Sequence, residues 1–167
     1  KVIYINHGSG DGVYGYKTDN LEIFDLLLLA GDKIIERAYA EGMKEVNYKI
    51  IGYSKFDVTQ AEYIKPNLFN NNKKTVLYNP HNKVDLSSWY KHGIEILDYF
   101  YNNKDFNLIF APHINLFNHK YYLSPDILDQ KYFKADNIHM DTGSMNSTNM
   151  TYTLSADLYL GDVSSQI

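Results

Sequence analysis

The sequence predicts an α/β protein in which parallel strands alternate with helices, and three observations support this. Short runs of apolar and β-branched residues recur along the 167-residue chain. The segments between several of these runs carry apolar residues at helical spacing, which is typical of a doubly wound parallel sheet with right-handed crossovers. A polar, asparagine-rich segment at 66–74 divides the pattern, so we predict two Rossmann-like lobes, at 1–65 and 75–167, with 66–74 as the linker or hinge.

The first lobe reads as strand, loop, strand, helix and strand. Residues 1–6 alternate and are β-branched, so they predict a strand, and a glycine-rich loop follows. Residues 24–31 form a mostly apolar run that suits a strand buried on both faces of a parallel sheet. Residues 31–43 have roughly helical spacing, and Gly42 can end that helix. Residues 47–53 predict the next strand.

The second lobe continues the alternation. Its strands are predicted at 75–79, 106–111, 136–140 and 157–161. Between them we expect helices at 85–103, 124–133 and 146–156, and a further helix starting at 163. Asp85, Ser87 or Ser88 can cap the first of these helices, and Ser124 with Pro125 at the first helical position begins the second.

Composition excludes several classes of function. The absence of cysteine removes disulfides, thiolate catalysis and cysteine-type zinc sites. The net charge of −4 provides no global basic field, so we predict no nucleic-acid partner. No stretch approaches the ~18 consecutive apolar residues of a membrane-spanning helix.

Polar and titratable residues follow the carboxyl ends of the predicted strands, where ligands bind in open α/β sheets. His7 and Gly8 follow the first strand; this histidine is either a general base beside a glycine loop or an incidental residue of a turn. His113 follows the strand at 106–111 and is either a cation that meets a leaving phosphate or a structural strand-end residue. Ser164 and Ser165 follow Asp162 at a predicted helix start, which suits either a phosphate or an ordinary N-cap.

The other histidines give weaker signals. His139 and Asp141 have the i, i+2 spacing of one strand face, but two ligands do not make a metal site, so we predict no metal and no cofactor. His92 and His119 read as surface residues.

Five short segments occur in the order seen in the CDP-glycerol glycerophosphotransferase-like family, of which teichoic acid polymerases are members. They are HG at 7–8, GYSKFD at 52–57, TVLYNPHNK at 75–83, FAPH at 110–113 and ADLYLGDVSS at 156–165. The chain resembles this family over most of its length. It departs from the family pattern at Ser54 (proline in the family), Lys55 (arginine) and His81 (threonine), and no arginine precedes His113.

The resemblance implies a two-lobed GT-B fold of the glycosyltransferase superfamily and a transferase activity. The transferred group, a glycerophosphate, another polyol phosphate or a sugar, would pass from a nucleotide-diphosphate donor to a polyol or glycan acceptor in cell-envelope polymer synthesis. His7 and His113 would be catalytic. The resemblance assigns substrate binding to Gly8, Lys55, His81, Asp162, Ser164 and Ser165.

Two alternatives stay open: a nucleotide-sugar 2-epimerase of a related fold, with Asp57 or Asp11 as candidate carboxylates, and a non-catalytic nucleotide-binding module. The abrupt ends of the chain lead us to expect a piece of a longer protein. We expect a cytoplasmic, bacterial protein. Whether other parts of the chain attach it peripherally to the inner face of the membrane stays open.

Overall fold

The computed structural model describes residues 1–5, 21–117 and 123–162. These residues fall in two compact units, one within Lys1–Glu62 and one within Tyr63–Val163. The segment 66–74 belongs to the second unit, and its role as a hinge stays a prediction. Within the described residues, no helix is long and apolar enough to cross a membrane.

The first unit contains a parallel sheet of strands β1 (Ile3–Ile5), β2 (Leu26–Leu29) and β3 (Tyr48–Ile50), in that spatial order. Helix α1 (Asp32–Ala40) packs on the sheet, and helix α2 (Ser54–Glu62) follows β3. Strand β2 is central. Its leucines alternate between buried and half-buried, so one face is less covered than the run at 24–31 predicts.

The end of α1 follows from its sequence. Gly42 has a φ of +93°, a conformation that favours glycine. The Gly42 amide donates to the Tyr39 carbonyl at 3.0 Å, and the Met43 amide donates to the Ala38 carbonyl at 3.0 Å. This pair of bonds is the Schellman motif, and it brings Met43 into the apolar cluster that contains Ala38. The prediction that Gly42 ends the helix is therefore confirmed.

The second unit is built on a parallel sheet with the spatial order β6-β5-β4-β7. Its strands are β4 (Thr75–Asn79), β5 (Asn107–Phe110), β6 (Ile138–Met140) and β7 (Leu158–Gly161). The helices are α3 (Trp89–Asn102), α4 (Gln130–Phe133) and α5 (Thr151–Ser155). The chain adds β5 and β6 on one side of β4 and then returns to place β7 on the other side.

Both faces of this sheet are covered, because successive strand residues point to opposite sides. On one face, Tyr78 and Phe110 pack in the larger apolar cluster, together with residues of α3 and α4. On the other face, Leu77 and Ile109 pack with Tyr152 of α5. The sheet is thereby fixed on both sides, which holds the carboxyl ends of its strands in place.

Helix α3 buries one side, at Trp89, Gly93, Leu97 and Phe100. The indole of Trp89, the single tryptophan of the sequence, contacts the rings of Phe110 and Phe117 at centroid distances of 5.3 and 5.2 Å. Of the candidate caps for this helix, Ser87 accepts a hydrogen bond from the Trp89 amide at 3.2 Å.

Four helix predictions were wrong. The helix predicted at 85–103 begins instead at Trp89, after a 3-10 turn at Val84–Leu86. Residues 54–62 form α2, a segment for which no helix was predicted. The helix predicted at 124–133 divides into a 3-10 turn, Pro125–Ile127, and α4, because Asp129 is extended and begins a second helix with its own side-chain cap. The helix predicted at 146–156 also divides, since Met150 adopts a left-handed φ of 66° just before α5.

Candidate functional site

Polar side chains collect at the carboxyl ends of the four strands of the second unit. Asn79 ends β4, His113 lies three residues after β5, Asp141 directly follows β6 and Asp162 directly follows β7. The chain reverses its direction of strand addition between β4 and β7. In open α/β sheets, a crevice for ligands forms at such a switch point, outside the carboxyl ends of the strands.

Two histidines form a pair at this edge. The rings of His81, after β4, and His113, after β5, lie 5.4 Å apart between centroids with an interplanar angle of 41°. The two strands are adjacent and parallel, and the His113 amide donates to the Pro80 carbonyl at 3.0 Å. The backbone therefore places the two imidazoles side by side, and both are half-buried.

The hydrogen bonds of the pair define the tautomer of each ring. The Lys83 amide donates to Nδ1 of His81 at 3.0 Å, and the Asn115 amide donates to Nδ1 of His113 at 3.1 Å. A backbone N–H can only donate, so each Nδ1 is an unprotonated acceptor and each neutral ring carries its proton on Nε2. Both rings are consequently Nε2–H donors.

Burial lowers the pKa of both histidines and so favours their neutral forms. Burial lowers the pKa of His113, and the neighbouring His81 lowers it further. Burial also lowers the pKa of His81, with a contribution from Lys83, while Asp162 acts in the opposite direction. One of the two roles predicted for His113 was that of a cation. In the free protein, the amide bond that its Nδ1 accepts and the direction of its pKa shift favour the neutral donor form instead.

Asp162 joins three elements at the switch point. Its Oδ2 accepts hydrogen bonds from the His81 amide at 2.8 Å, the Ser88 amide at 2.9 Å and the Ser88 hydroxyl at 3.2 Å. The Tyr78 hydroxyl shares a 3.0 Å hydrogen bond with the Ser88 hydroxyl, and burial raises the pKa of Tyr78 to about 12. The end of β7 is thus tied to the loop after β4 and to the start of α3.

Asn79 connects the ends of three neighbouring strands. This buried side chain donates from Nδ2 to the Ala111 carbonyl at 2.5 Å and accepts from the Tyr159 hydroxyl at 2.9 Å. Ala111 lies two residues before His113, so Asn79 also anchors the strand end that carries the second histidine. Asn79 was not predicted as a site residue; the signal for it is a polar residue at the end of the apolar strand TVLYN, next to a proline.

A second polar cluster lies at the end of β6. The Tyr152 hydroxyl donates to Oδ2 of Asp141 at 2.6 Å and pairs with Nε2 of His139 at 3.0 Å. Burial would raise the pKa of Asp141, but hydrogen bonds from Ser144 and Tyr152 outweigh it and lower the pKa. His139 and Asp141 do share a side of the strand, as predicted, with Tyr152 between them. In the described part of the chain, no group of three or more histidines and carboxylates has the arrangement of a metal site.

The remaining predicted residues divide into two groups. Lys55 lies in the first turn of α2, in the first unit, where burial lowers its pKa. His7, Gly8, Ser164 and Ser165 lie outside the described residues, so their roles stay predictions. Of the predicted site residues, the structure brings together His81, His113 and Asp162.

The sheet order and its polar carboxyl edge define an α/β protein of the Rossmann-like, GT-B type, which confirms the predicted fold class. A solved structure similar to this chain is UDP-N-acetylglucosamine 2-epimerase from Rickettsia bellii, with a TM-score of 0.54, 15% sequence identity and 95% of this chain covered. The chain spans 44% of the length of that protein. At this identity the similarity shows the fold alone. Neither a protein-family model nor a curated protein sequence matches the chain. The resemblance to the glycerophosphotransferase-like family is therefore not supported by these two comparisons.

Proposed function

We propose that this chain belongs to an enzyme that acts on a nucleotide-diphosphate-linked substrate, and that His81 and His113 donate hydrogen bonds to the diphosphate. The observation that carries the proposal is the histidine pair itself. Both rings are fixed as Nε2–H donors, they lie side by side, and they stand at the carboxyl edge of a parallel sheet near its switch point.

The pair suits a diphosphate for two reasons. Adjacent donors 5.4 Å apart between ring centroids match a ligand with several acceptor oxygens on neighbouring phosphorus atoms. Burial favours the neutral form of both rings in the free protein, so an arriving anion gains two Nε2–H donors without displacing a bound counter-ion. Charge stabilisation of this kind provides an electrostatic route for a departing phosphate.

For the reaction we propose group transfer, as the family resemblance implies. His7 would remove the proton from an acceptor hydroxyl. The hydroxyl oxygen would then bond to the transferred phosphorus, releasing a nucleoside monophosphate, or to a sugar carbon, releasing a nucleoside diphosphate. Lys55, Gly8, Ser164 and Ser165 would contact the donor phosphates, and 66–74 would be the hinge. The acceptor would be a polyol or glycan in cytoplasmic steps of cell-envelope polymer synthesis.

A second candidate is a nucleotide-sugar 2-epimerase, the activity named for the solved structure that shares this fold. The same histidine pair would hold the diphosphate, and a carboxylate would move a proton at the sugar carbon. The products separate the reactions. Transfer of a phosphoryl-linked group releases a monophosphate, transfer of a sugar releases a diphosphate, and epimerisation returns an isomeric nucleotide-sugar in the absence of any acceptor.

Ligand binding tests the histidine pair. We would measure the affinity for CDP, UDP, CDP-glycerol and UDP-N-acetylglucosamine by calorimetry in the wild type and in His81→Ala and His113→Ala. Each variant loses one hydrogen bond to a charged group, so we expect affinity to fall about 10- to 100-fold. His92→Ala is the matched control, because His92 is an exposed histidine of α3 that pairs with Glu95. Wild-type affinity in both site variants would exclude the pair as the diphosphate site.

Turnover tests the proposed base separately. His7→Ala in the whole enzyme should abolish product formation while nucleotide affinity stays within about twofold of the wild type. Near-normal turnover in His7→Ala would remove this residue from the mechanism. Nucleotide binding without turnover in the wild type would instead indicate a non-catalytic module.

A further inference from the structure

We propose that Asp162 is a positioning residue that fixes the tautomer and place of the His81 imidazole, in contrast to the ligand contact that the family resemblance implies for it. The effect on nucleotide affinity rests on the proposed function. The effect on His81 itself does not, because it follows from hydrogen bonds within the protein.

Oδ2 of Asp162 is already occupied by hydrogen bonds within the protein. Three donors converge on the single oxygen Oδ2: the His81 amide, the Ser88 amide and the Ser88 hydroxyl, at 2.8, 2.9 and 3.2 Å. A carboxylate oxygen offers about two lone-pair sites, so this atom has no acceptor capacity left. A carboxylate beside a diphosphate would also repel it, which is a second reason to expect a positioning role and no direct phosphate contact for Asp162.

These bonds hold both ends of the connection between β4 and α3. His81 begins this connection and Ser88 ends it, since α3 starts at Trp89. One carboxylate oxygen therefore closes 81–88 into a loop of fixed shape. Within that loop, the Lys83 amide reaches Nδ1 of His81 at 3.0 Å. The carboxylate sets the loop, the loop places the Lys83 amide, and this amide assigns the proton of His81 to Nε2.

The same strand supplies a matched control. Asp157 precedes β7 at its other end and accepts hydrogen bonds from the Thr75 amide at 2.9 Å and from the Lys74 ammonium at 2.6 Å. It resembles Asp162 in linking β7 to β4 through a backbone amide. It lies at the amino edge of the sheet, away from the histidines.

The experiment compares Asp162→Asn with Asp157→Asn by nitrogen-15 NMR of the histidine rings, with His81→Gln and His113→Gln used for assignment. In the wild type we expect His81 as the Nε2–H tautomer. In Asp162→Asn a neutral amide oxygen replaces the charged acceptor and holds the three donors more weakly. We therefore expect His81 to become a mixture of tautomers and UDP or CDP affinity to fall about tenfold, the equivalent of one hydrogen bond. Asp157→Asn should leave both unchanged. A wild-type His81 signal in Asp162→Asn, or an equal change in Asp157→Asn, would overturn the proposal.

The outcomes separate this proposal from the proposed function. If no nucleotide binds to the wild type, the proposed function fails, and the NMR signal of His81 still tests Asp162. If nucleotide binds and Asp162→Asn lowers affinity with His81 unchanged, Asp162 is a direct ligand contact and the positioning role is wrong. If Asp162→Asn does not fold, hydrogen exchange in the wild type provides the test. The amides of His81 and Ser88 should then be protected as the Thr75 amide is, and exchange at the rate of a free peptide would refute the bonds to Asp162.

Discussion

Replacing Gly93 by alanine should destabilise the protein, although the same change in an exposed helix interior usually adds about 1 kcal/mol. A Cβ at Gly93 would lie 2.1 Å from Cε3 of Trp89 and 2.5 Å from Cδ2. The indole is 5% exposed and is held by Phe110 and Phe117, so it has no free space to move into. Overpacking a core costs about 1–3 kcal/mol, and a contact this short belongs at the upper end. After subtraction of the helix term we expect a net loss of about 2 kcal/mol.

A double-mutant cycle isolates the cause. Urea unfolding of Gly93→Ala, Trp89→Leu and the double variant is followed by far-ultraviolet circular dichroism, which does not need the tryptophan. In the Trp89→Leu background the short contact is gone, so Gly93→Ala should become stabilising by about 1 kcal/mol, a coupling of about 3 kcal/mol. Because the sequence has one tryptophan, its fluorescence in Gly93→Ala also reports directly on the displaced ring. A gain of about 1 kcal/mol from Gly93→Ala in the wild-type background would refute the reasoning.

Three further predictions follow from the structure. Asn79→Ala should lower the free energy of unfolding by about 2–4 kcal/mol in urea titrations, because it removes two buried hydrogen bonds. It should also weaken nucleotide binding, because the Ala111 carbonyl loses its hydrogen-bond donor. The pKa is lowered in the folded protein for three half-buried histidines, His81, His113 and His139. Below about pH 6.5 the unfolded chain therefore binds more protons than the folded protein, and the melting temperature should fall as the pH decreases. Glutamine substitution at any of the three should make the melting temperature less dependent on pH. Gly42→Ala should destabilise α1 by about 1 kcal/mol in the same urea titrations, because alanine rarely adopts a φ of +93°. An unchanged free energy of unfolding would show that the Schellman turn can rearrange.

Strand positions and the positions of the histidines could be predicted from sequence, because apolar runs and the residues that follow them are local patterns. His113 and His81 stand where the alternation places them. Helix α2 could not be predicted, because SKFDVTQAE has no apolar stripe to mark it. The bonds of Asp162 were also out of reach, since its partners lie 74 and 81 residues away and depend on the strand order. The assignment of Asp162 as a site residue stays a prediction from sequence, and its hydrogen bonds depend on contacts that exist only in the folded sheet.

The two edges of the second sheet provide an internal comparison for the candidate site. Both edges contain buried amides: Asn79 lies at the carboxyl edge, and Asn107 lies at the amino edge, where it pairs with Asn71. Buried amides alone therefore indicate strand-end anchoring, which any sheet of this kind requires.

The edges differ in their titratable groups. At the amino edge the described residues form two exposed ion pairs, Lys74 with Asp157 and Lys104 with Asp136, which contribute little and are screened by salt. At the carboxyl edge the histidine pair is half-buried, neutral and held by backbone amides at both Nδ1 atoms. Holding titratable rings in this state lowers stability at acid pH without strengthening the core. The histidine pair therefore lowers stability at the edge where α/β sheets bind ligands. This supports the proposal that the function is located at that edge.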